Sequence, residues 1–346
     1  MTNREIAQKL GISPAALSLI INHKPGVSES TRDRVLEQLI EMGCEHLIKK
    51  APAVPSSNLC FIIYKRHGEV LDLHPFFLLL MESIETRARS YGYNILLNNI
   101  DKRRPMEPQL EHLMQMDCQG AIVFATEMED EDMIMLRELP IPIVSLDNDF
   151  TRLSCNSVSI NNQMGTFQAI DYLVRMGHRR IGYLKSKNRI SSFKERQSGY
   201  EDALAHFGLS FSSGDILSVH YTEEGSYRDI RQFLDSRSIQ DIPDAFVSDD
   251  DTMACGALRA FSEHGYHIPG DISIIGFNDR PNCDVTTPPL TSVNVSKHAL
   301  ASEAVDELMR MIQNPETSTP EARSRKIRIG TKLTVRNSVG PSEKNL

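Results

Sequence analysis

The sequence has few cysteines, none of them in a metal-binding pair, and no hydrophobic run long enough to cross a membrane. Its six cysteines lie far apart, and several are in apolar runs: Cys44, Cys60, Cys118, Cys155, Cys255 and Cys283. This usage predicts reduced, buried thiols rather than disulfides or a metal site. The longest apolar run, residues 76–81, is far shorter than the ~20 residues of a transmembrane helix. No signal peptide is recognisable, so a cytoplasmic protein without a membrane partner is expected.

The sequence also lacks the motifs of common catalytic centres. It contains no Gly-x-Ser-x-Gly elbow, no glycine-rich phosphate loop and no histidine cluster. Three consecutive aspartates, residues 249–251, could suggest a metal, but further ligands at loop spacing are missing. No enzyme activity, cofactor or metal is therefore expected.

Length and charge leave a multidomain regulator open. The 346 residues suffice for two or three domains, and 40% hydrophobic with 24% charged residues is ordinary for a globular protein. The net charge of -8 would argue against nucleic acid if it were spread evenly. The first 50 residues are slightly basic, however, so charge permits DNA binding without proving it.

Residues 1–45 carry the signals of three short helices. Thr2 and Glu5 form a capping box, Gly11 can end the first helix, and Ser13-Pro14 is an N-cap followed by proline at the first helical position. A third helix is predicted from Ser28 to residue 43. Apolar residues recur at helical spacing throughout: Ile6, Ala7, Leu10, Leu17, Ile20, Ile21, Val35, Leu36, Leu39 and Ile40. Two helices joined by a tight turn and braced by a third predict a helix-turn-helix DNA-binding head.

The hydrophobic pattern changes after residue 45. Residues 46–57 contain two prolines and no periodicity, which predicts a linker. From residue 58 to about 340, apolar strands alternate with amphipathic helices, and residues 326–336 are predicted as one strand. About ten strands exceed one doubly wound unit, so two lobes with a cleft outside the carboxyl ends of their strands are expected.

Two series of short motifs occur in order along the chain. The head contains Glu5-Ile6-Ala7, Gly11-Ile12-Ser13, Ser18, Asn22, Pro25-Gly26-Val27-Ser28 and Thr31-Arg32-Asp33-Arg34-Val35. The core contains His74-Pro75-Phe76-Phe77, Gly177-His178-Arg179-Arg180-Ile181, Glu195-Arg196-Gln197-Ser198-Gly199-Tyr200, Ile274-Ile275-Gly276-Phe277-Asn278-Asp279 and Pro288-Pro289-Leu290-Thr291-Ser292-Val293. Each motif alone is weak, but together they resemble the LacI/GalR family of transcriptional regulators over nearly the whole chain.

The resemblance implies an α/β protein: an all-α helix-turn-helix head before a two-lobed, periplasmic-binding-protein-like core of two doubly wound parallel sheets. The N-lobe would comprise about 58–160 and 290–320, and the C-lobe about 161–289 and 321–340. It also implies a homodimeric repressor that binds double-stranded operator DNA. A small-molecule effector in the cleft would shift the lobes and thereby change DNA binding, a coupling of typically ~1–3 kcal/mol.

On the DNA side, the resemblance assigns base-reading positions to Pro14, Ala15 and Leu19. These apolar side chains can touch a thymine methyl group but cannot make bidentate hydrogen bonds to bases. Ser18 is the best polar candidate in the second helix. Three further residues match positions that contact the DNA backbone: Asn22, Ser28 and Thr31. For Pro14 and Ser28, the simpler interpretations are a helix starter and an N-cap.

The linker departs from the family pattern. Relatives carry an Arg-Pro-Asn-x-x-Ala-Arg-x-Leu segment that folds on DNA and wedges a leucine into the minor groove. Residues 45–53 here have no such pattern, and Pro52 would disrupt a helix built through it. Weaker or differently shaped operator bending is therefore expected.

On the effector side, Arg196 matches an arginine that relatives use to hold sugar hydroxyls or a carboxylate, and its planar fork suits both. Asp250 falls where relatives have a ligand-binding Asn, while Asp251 is expected to cap the next helix. The other positions matched to the effector site are Phe76, Phe77, Asp147, Tyr221 and Asn278.

Polar groups around aromatic faces favour a mono- or disaccharide, with a purine or nucleoside as the alternative. The same residues weigh against two rival classes. Asp147 and Asp250 could mimic a glycosidase acid pair, but their family positions explain them better. A sugar-binding protein without DNA function is opposed by the head.

Overall fold

The structure, a computed structural model, describes residues 2–22, 24, 26–47, 58–70, 75–237, 241–318 and 322–342. The chain forms two compact units, residues 1–56 and 57–346. The described part of the chain contains no helix that is both long and apolar enough to span a membrane.

The first unit is a three-helix head of α1 (Asn3–Lys9), α2 (Pro14–Ile21) and α3 (Glu29–Glu41), followed by a 3-10 turn at Glu45–Leu47. The predicted caps are present. The Thr2 hydroxyl accepts from the Glu5 N–H while the Glu5 carboxylate accepts from the Thr2 N–H, and Ser13 Oγ accepts from the Ala16 N–H at 3.0 Å. Gly11 adopts a φ of +65°, the left-handed turn that separates α1 from α2. The helices share one apolar core: Ile6, Ala7, Leu10, Leu17, Ile20, Ile21, Val35, Leu39 and Cys44.

The second unit contains eight helices and twelve strands within its described residues. The helices are α4 (Pro75–Ser90), α5 (Met106–Gln115), α6 (Asp130–Leu136), α7 (Asn162–Arg175), α8 (Ser191–His206), α9 (Glu223–Leu234), α10 (Asp251–Glu263) and α11 (Lys297–Gln313). The strands are β1 (Asn58–Lys65), β2 (Asn94–Asp101), β3 (Ala121–Phe124), β4 (Ile143–Leu146), β5 (Asn156–Ile160), β6 (Ile181–Ser186), β7 (Ile216–Val219), β8 (Ala245–Ser248), β9 (Ser273–Asn278), β10 (Thr291–Asn294), β11 (Lys326–Ile329) and β12 (Lys332–Thr334).

These strands form two six-stranded sheets, each the centre of one lobe. The first has the order β2-β1-β3-β4-β5-β11 and is parallel throughout. The second has the order β7-β6-β8-β9-β10-β12 and is parallel except for its edge pair, β10 with β12. The predicted α/β class with two doubly wound sheets is confirmed, with one antiparallel edge strand added.

The lobe boundaries differ from the predicted ones at two places. Strand β10 was expected in the N-lobe but pairs with β9, and β11 was expected in the C-lobe but pairs with β5. The chain therefore crosses between lobes after β10, before α11 packs on the first sheet, and again between β11 and β12. Residues 326–336 are consequently two strands in different sheets, because the chain leaves the first sheet at Gly330 and joins the second.

The core of the second unit runs through both lobes. One buried cluster continues from Phe61 and Phe124 of the first sheet to Tyr183 and Phe277 of the second. Helices α4 and α11 pack together beside the first sheet, and the pairs α7–α8 and α9–α10 pack together in the second lobe. Helices therefore surround each sheet while the carboxyl ends of its strands stay available for a site.

Two of the predictions fall outside the described residues. Residues 48–57, which make up most of the predicted linker, are not among the described residues. The prediction that the linker lacks the family's DNA-induced helix therefore also lies outside them. The side chains of Phe76 and Phe77 are not described, although both residues lie in the first turn of α4.

Candidate functional site

The predicted DNA-reading side chains of α2 lie on the outer face of the head. Pro14, Ala15 and Ser18 are exposed and Leu19 is half-buried, while Leu17 and Ile20 point into the core. Gly26, with a φ of +120°, lies so close that a Cβ there would be 3.2 Å from Leu19 Cδ1. The turn after α2 thus packs on Leu19. Ser18 carries the exposed hydroxyl of this helix.

The three residues matched to DNA-backbone positions are tied to helix ends. Asn22 is the C-cap of α2, and its Nδ2 donates to the Ser18 carbonyl at 2.7 Å. Ser28 is the N-cap of α3, and its Oγ lies 2.8 Å from the Thr31 hydroxyl. Ser28 remains exposed while it caps, so one hydroxyl can cap the helix and still face a phosphate.

Arg196 lies at the centre of the candidate effector site, in the second turn of α8. Its side chain is buried, and its Nε donates to Asn162 Oδ1 at 2.8 Å. Its Nη1 donates to the Asp249 carbonyl, and its Nη2 reaches Asn278 Oδ1 at 3.4 Å. The guanidinium also stacks 3.7 Å from the centre of the Phe277 ring, which fixes its plane.

Asp250 connects this arginine to a second one. Its Oδ2 accepts from Asn278 Nδ2 at 2.5 Å and from Arg280 Nη2 at 3.2 Å, and the same Nη2 donates to the Tyr221 hydroxyl at 2.9 Å. Burial is the main reason that the pKa of Tyr221 is well above its usual range, so the phenol is neutral. Four predicted effector residues are thus brought together: Arg196, Tyr221, Asp250 and Asn278.

The expected roles of Asp250 and Asp251 need correction. Asp250 is the N-cap of α10, with its Oδ1 accepting from the Thr252 N–H at 2.8 Å. Asp251 is the first helical residue, and its buried carboxylate accepts from the Ser292 hydroxyl at 2.6 Å and the Arg280 N–H at 2.8 Å. The cap falls one residue earlier because Asp250 has the extended backbone that an N-cap requires.

Asp147 lies in the first lobe, directly after β4. Its φ of +72° is in the left-handed region, and its Oδ2 accepts from the Thr126 hydroxyl at 2.6 Å. Its Oδ1 is buried and meets no donor among the described residues. Burial raises the pKa of Asp147 to about 6, partly offset by the Thr126 hydrogen bond and the charge of Arg196.

A cleft of about 530 Å³ lies between the carboxyl ends of the two sheets. First-lobe residues 66–67, 126–130, 148 and 150–152 line it opposite second-lobe residues 188–191, Lys194 and Glu195. Arg328 of β11 joins the lobes, since it pairs with Asp149 and donates to Glu195 at 2.9 Å. Glu69 and Asn188 are also hydrogen-bonded across the cleft. The lobes are thus linked by polar contacts at this cleft, whereas Arg196, Tyr221, Asp250 and Asn278 are not among the residues that line it.

Aromatic rings border the polar cluster. Phe193 and Tyr221 have ring centroids 5.7 Å apart, and Phe193 also lies 5.5 Å from the Arg196 guanidinium carbon. Phe193, Asn162 and Arg280 were not among the predicted effector residues. The position of Arg280, just beyond the carboxyl end of β9, is the sequence signal that could have identified it.

Comparison with known proteins gives one domain match and many relatives. Residues 170–339 match a periplasmic binding protein-like domain. The chain is 26% identical over 345 residues to the HTH-type transcriptional repressor PurR of Mannheimia succiniciproducens, covering 98% of each chain. It is 27% identical to the ribose operon repressor of Haemophilus influenzae, covering 91% of this chain and 92% of that one.

Solved structures agree on the fold. A lac repressor dimer bound to operator and the anti-inducer ONPF matches with a TM-score of 0.71 and 21% identity, covering 98% of this chain and 99% of that one. The homologues are transcriptional regulators, not enzymes. The helical N-terminal region and the two-sheet core are therefore shared with proteins of this kind.

Proposed function

Because the chain is homologous to LacI/GalR-family transcriptional regulators, we propose that it is a sequence-specific DNA-binding repressor of the cytoplasm whose operator binding is controlled by a small molecule. The effector is a mono- or disaccharide bound between the two lobes. The observation that carries this proposal is the convergence of Arg196, Tyr221, Asp250 and Asn278 at the carboxyl end of the second sheet. Doubly wound sheets bind ligands at this end.

The DNA part of the proposal rests on the exposed face of α2 and the caps that follow it. Ser18 and the apolar residues Pro14, Ala15 and Leu19 enter the major groove, where apolar groups pack against thymine methyls. Asn22, Ser28 and Thr31 contact the phosphate backbone and fix the register without reading sequence. Specificity then depends partly on DNA shape and on dimer spacing.

The effector part rests on how the site is built. The Arg196 guanidinium lies 5.5 Å from the centre of the Phe193 ring, and the Arg280 guanidinium joins the Tyr221 hydroxyl to Asp250. Such a site binds a sugar by hydrogen bonds in the plane of the ring and by contact with its C–H faces. A purine or nucleoside is the second candidate, because a flat base can also stack on an aromatic ring.

The functional form is proposed to be a homodimer. Exposed apolar side chains on the first lobe support a partner copy, since Leu78 of α4 is 62% exposed and Leu97 of β2 is 52% exposed. Covering such residues is the usual way in which a second copy of a chain stabilises a dimer. The lac repressor structure that this chain resembles is described as a dimer on its operator.

A gel shift with DNA from upstream of the chain's own gene tests the proposal. The wild type should bind this DNA, and at least one compound in a panel of mono- and disaccharides and purines should change the binding. Arg196→Met, if folded, should keep DNA binding and lose the response, whereas the exposed control Arg175→Met should behave as wild type. A folded Arg196→Met protein that responds normally would contradict the proposed effector site.

A further inference from the structure

Arg280 is a buried arginine whose hydrogen-bonding capacity is only partly used. It follows Asn278 and Asp279, whose φ angles of +100° and +50° turn the chain sharply after β9. The residue is 8% exposed, and its Nη2 serves both Tyr221 and Asp250. Its Nε and Nη1 are buried and meet no acceptor among the described residues. Because a guanidinium carries five N–H groups, the three on these two nitrogens are unused.

Arg196 also has no carboxylate partner at hydrogen-bonding distance among the described residues. Arg196 donates only to an amide oxygen, a backbone carbonyl and a second amide oxygen, and among the described residues no carboxylate oxygen lies within 4.0 Å of its guanidinium. A buried cation without a counter-charge is unfavourable in a protein interior. Asp250 pairs with Arg280 but also binds Asn278 and the Thr252 N–H, so its charge is already shared.

The carboxylates of the neighbouring aspartates are bonded to other groups. The carboxylate of Asp249 is paired with Arg189 at 2.7 Å and also binds the Tyr183 hydroxyl. Burial and the adjacent Asp250 charge raise the pKa of Asp251, and its carboxylate already accepts from the Ser292 hydroxyl and the Arg280 backbone N–H. Among the described residues, Asp250 is therefore the one carboxylate that accepts a hydrogen bond from the guanidinium group of Arg196 or Arg280.

We infer that the effector carries an anionic group, a carboxylate or a phosphate, which binds the unused donors of Arg280 and gives Arg196 an anionic partner at close range. This inference rests on the proposed function and narrows its effector from sugars in general to acidic sugars. The buried Oδ1 of Asp147, which has no donor among the described residues, calls for a hydroxyl on the same molecule. Hydrogen bonds to charged groups are shorter and stronger than neutral ones, so the anion sets the specificity.

Matched pairs of compounds test the inference on the full chain. Isothermal titration should compare glucose with glucuronate and glucose 6-phosphate, galactose with galacturonate, and ribose with ribose 5-phosphate, with adenine included as a base. The best acid should bind at least tenfold more tightly than its neutral partner. Carboxylate and phosphate members of the panel distinguish the two sources of the anion.

Variants of Arg280 test whether the preference for acids over neutral sugars depends on this side chain. Arg280→Gln should reduce the ratio of acid to neutral affinity at least tenfold, and Arg280→Lys should restore part of it because the charge returns. The control Arg175→Gln removes an exposed arginine that pairs only locally with Asp171, and it should leave the ratio unchanged. Thermal melts of each variant exclude unfolding as the cause.

Failure of the inference differs from failure of the proposed function. If a neutral sugar or adenine binds at least as tightly as every acid and changes DNA binding, the inference is wrong while the proposed regulator stands. An unchanged acid preference in a folded Arg280→Gln protein would also overturn the inference. If no acid in the panel binds at all, the inference is wrong as well. The proposed function itself fails only if the chain does not bind its upstream DNA or if no small molecule affects that binding.

Discussion

Replacing Arg196 by methionine should destabilise the core in the absence of any effector. The change keeps an unbranched side chain of similar length but removes the guanidinium. It deletes the donor to Asn162 Oδ1 at 2.8 Å, the donor to the Asp249 carbonyl, and the stacking at 3.7 Å on Phe277. The contact with Asn278 at 3.4 Å is longer and contributes less.

The magnitude follows from opposing terms. Two hydrogen bonds from a charged donor contribute about 1.5–3 kcal/mol each, and a buried guanidinium–aromatic contact contributes about 2 kcal/mol. The substitution also relieves the burial of a charge that lacks a nearby carboxylate, which offsets several kcal/mol of the loss. We expect the free energy of unfolding to fall by about 3 kcal/mol.

Urea unfolding of the full chain, followed by circular dichroism and tyrosine fluorescence, measures this change. The chain has no tryptophan but has nine tyrosines, several of them in the core near the site, such as Tyr183 and Tyr221. Arg175→Met is the matched control, because Arg175 is 74% exposed and should contribute at most about 0.5 kcal/mol. A loss below about 1 kcal/mol for Arg196→Met would refute the reasoning that this side chain holds the site together.

Three further changes have definite expected outcomes. Gly276→Ala should destabilise the second lobe by about 3 kcal/mol in urea unfolding, because its Cβ would lie 2.1 Å from Asp251 Oδ1; a neutral effect would be inconsistent with this packing. Ser13→Ala should lower the stability of the head by about 1 kcal/mol in thermal melts, since Ser13 caps α2, and an unchanged melting temperature would contradict the cap. The pKa of Asp147 is raised to about 6 in the folded chain, so between pH 4 and about 6 the unfolded chain loses this proton first. The free energy of unfolding of the wild type should therefore fall relative to that of Asp147→Asn as the pH rises through this range. A rise over the same range would contradict the raised pKa.

The head could be predicted in detail because its signals are local. The capping residues Thr2 and Ser13 act on groups only three residues away, and Gly11 acts on its own backbone. Such features depend on a few neighbouring residues and not on the tertiary fold. The apolar spacing then fixed which side of each helix faces the core, leaving Pro14 and Ser18 on the outside.

The arrangement of the lobes could be predicted only in outline. An apolar run such as β10 or β11 predicts a buried parallel strand, but it does not say which of two similar sheets the strand joins. The choice depends on where the chain crosses between lobes. Those crossings are set by tertiary packing, such as that of α11 against the first sheet.

The site shows the same limit at the level of single residues. Asp250 and Asp251 are chemically identical neighbours, so the sequence could not show which one has the extended backbone of a cap. The role of Arg280 arises from the fold, because Tyr221 and Asp250 become its neighbours only when β7, β8 and β9 are aligned. Partners that are distant in sequence have no local signal.

The central claim is that one molecule carries two coupled sites, and reciprocity tests this most directly. Anisotropy of labelled upstream DNA gives the operator affinity with and without a saturating sugar, acid or base from the panel, and titration calorimetry gives the affinity for the same compound with and without operator. If both sites are coupled in one protein, the factor by which the compound changes the operator affinity must equal the factor by which operator changes the affinity for the compound. We predict equal factors of about 5–150-fold for the true effector, whereas a bound compound that leaves operator affinity unchanged, or unequal factors, would contradict the account.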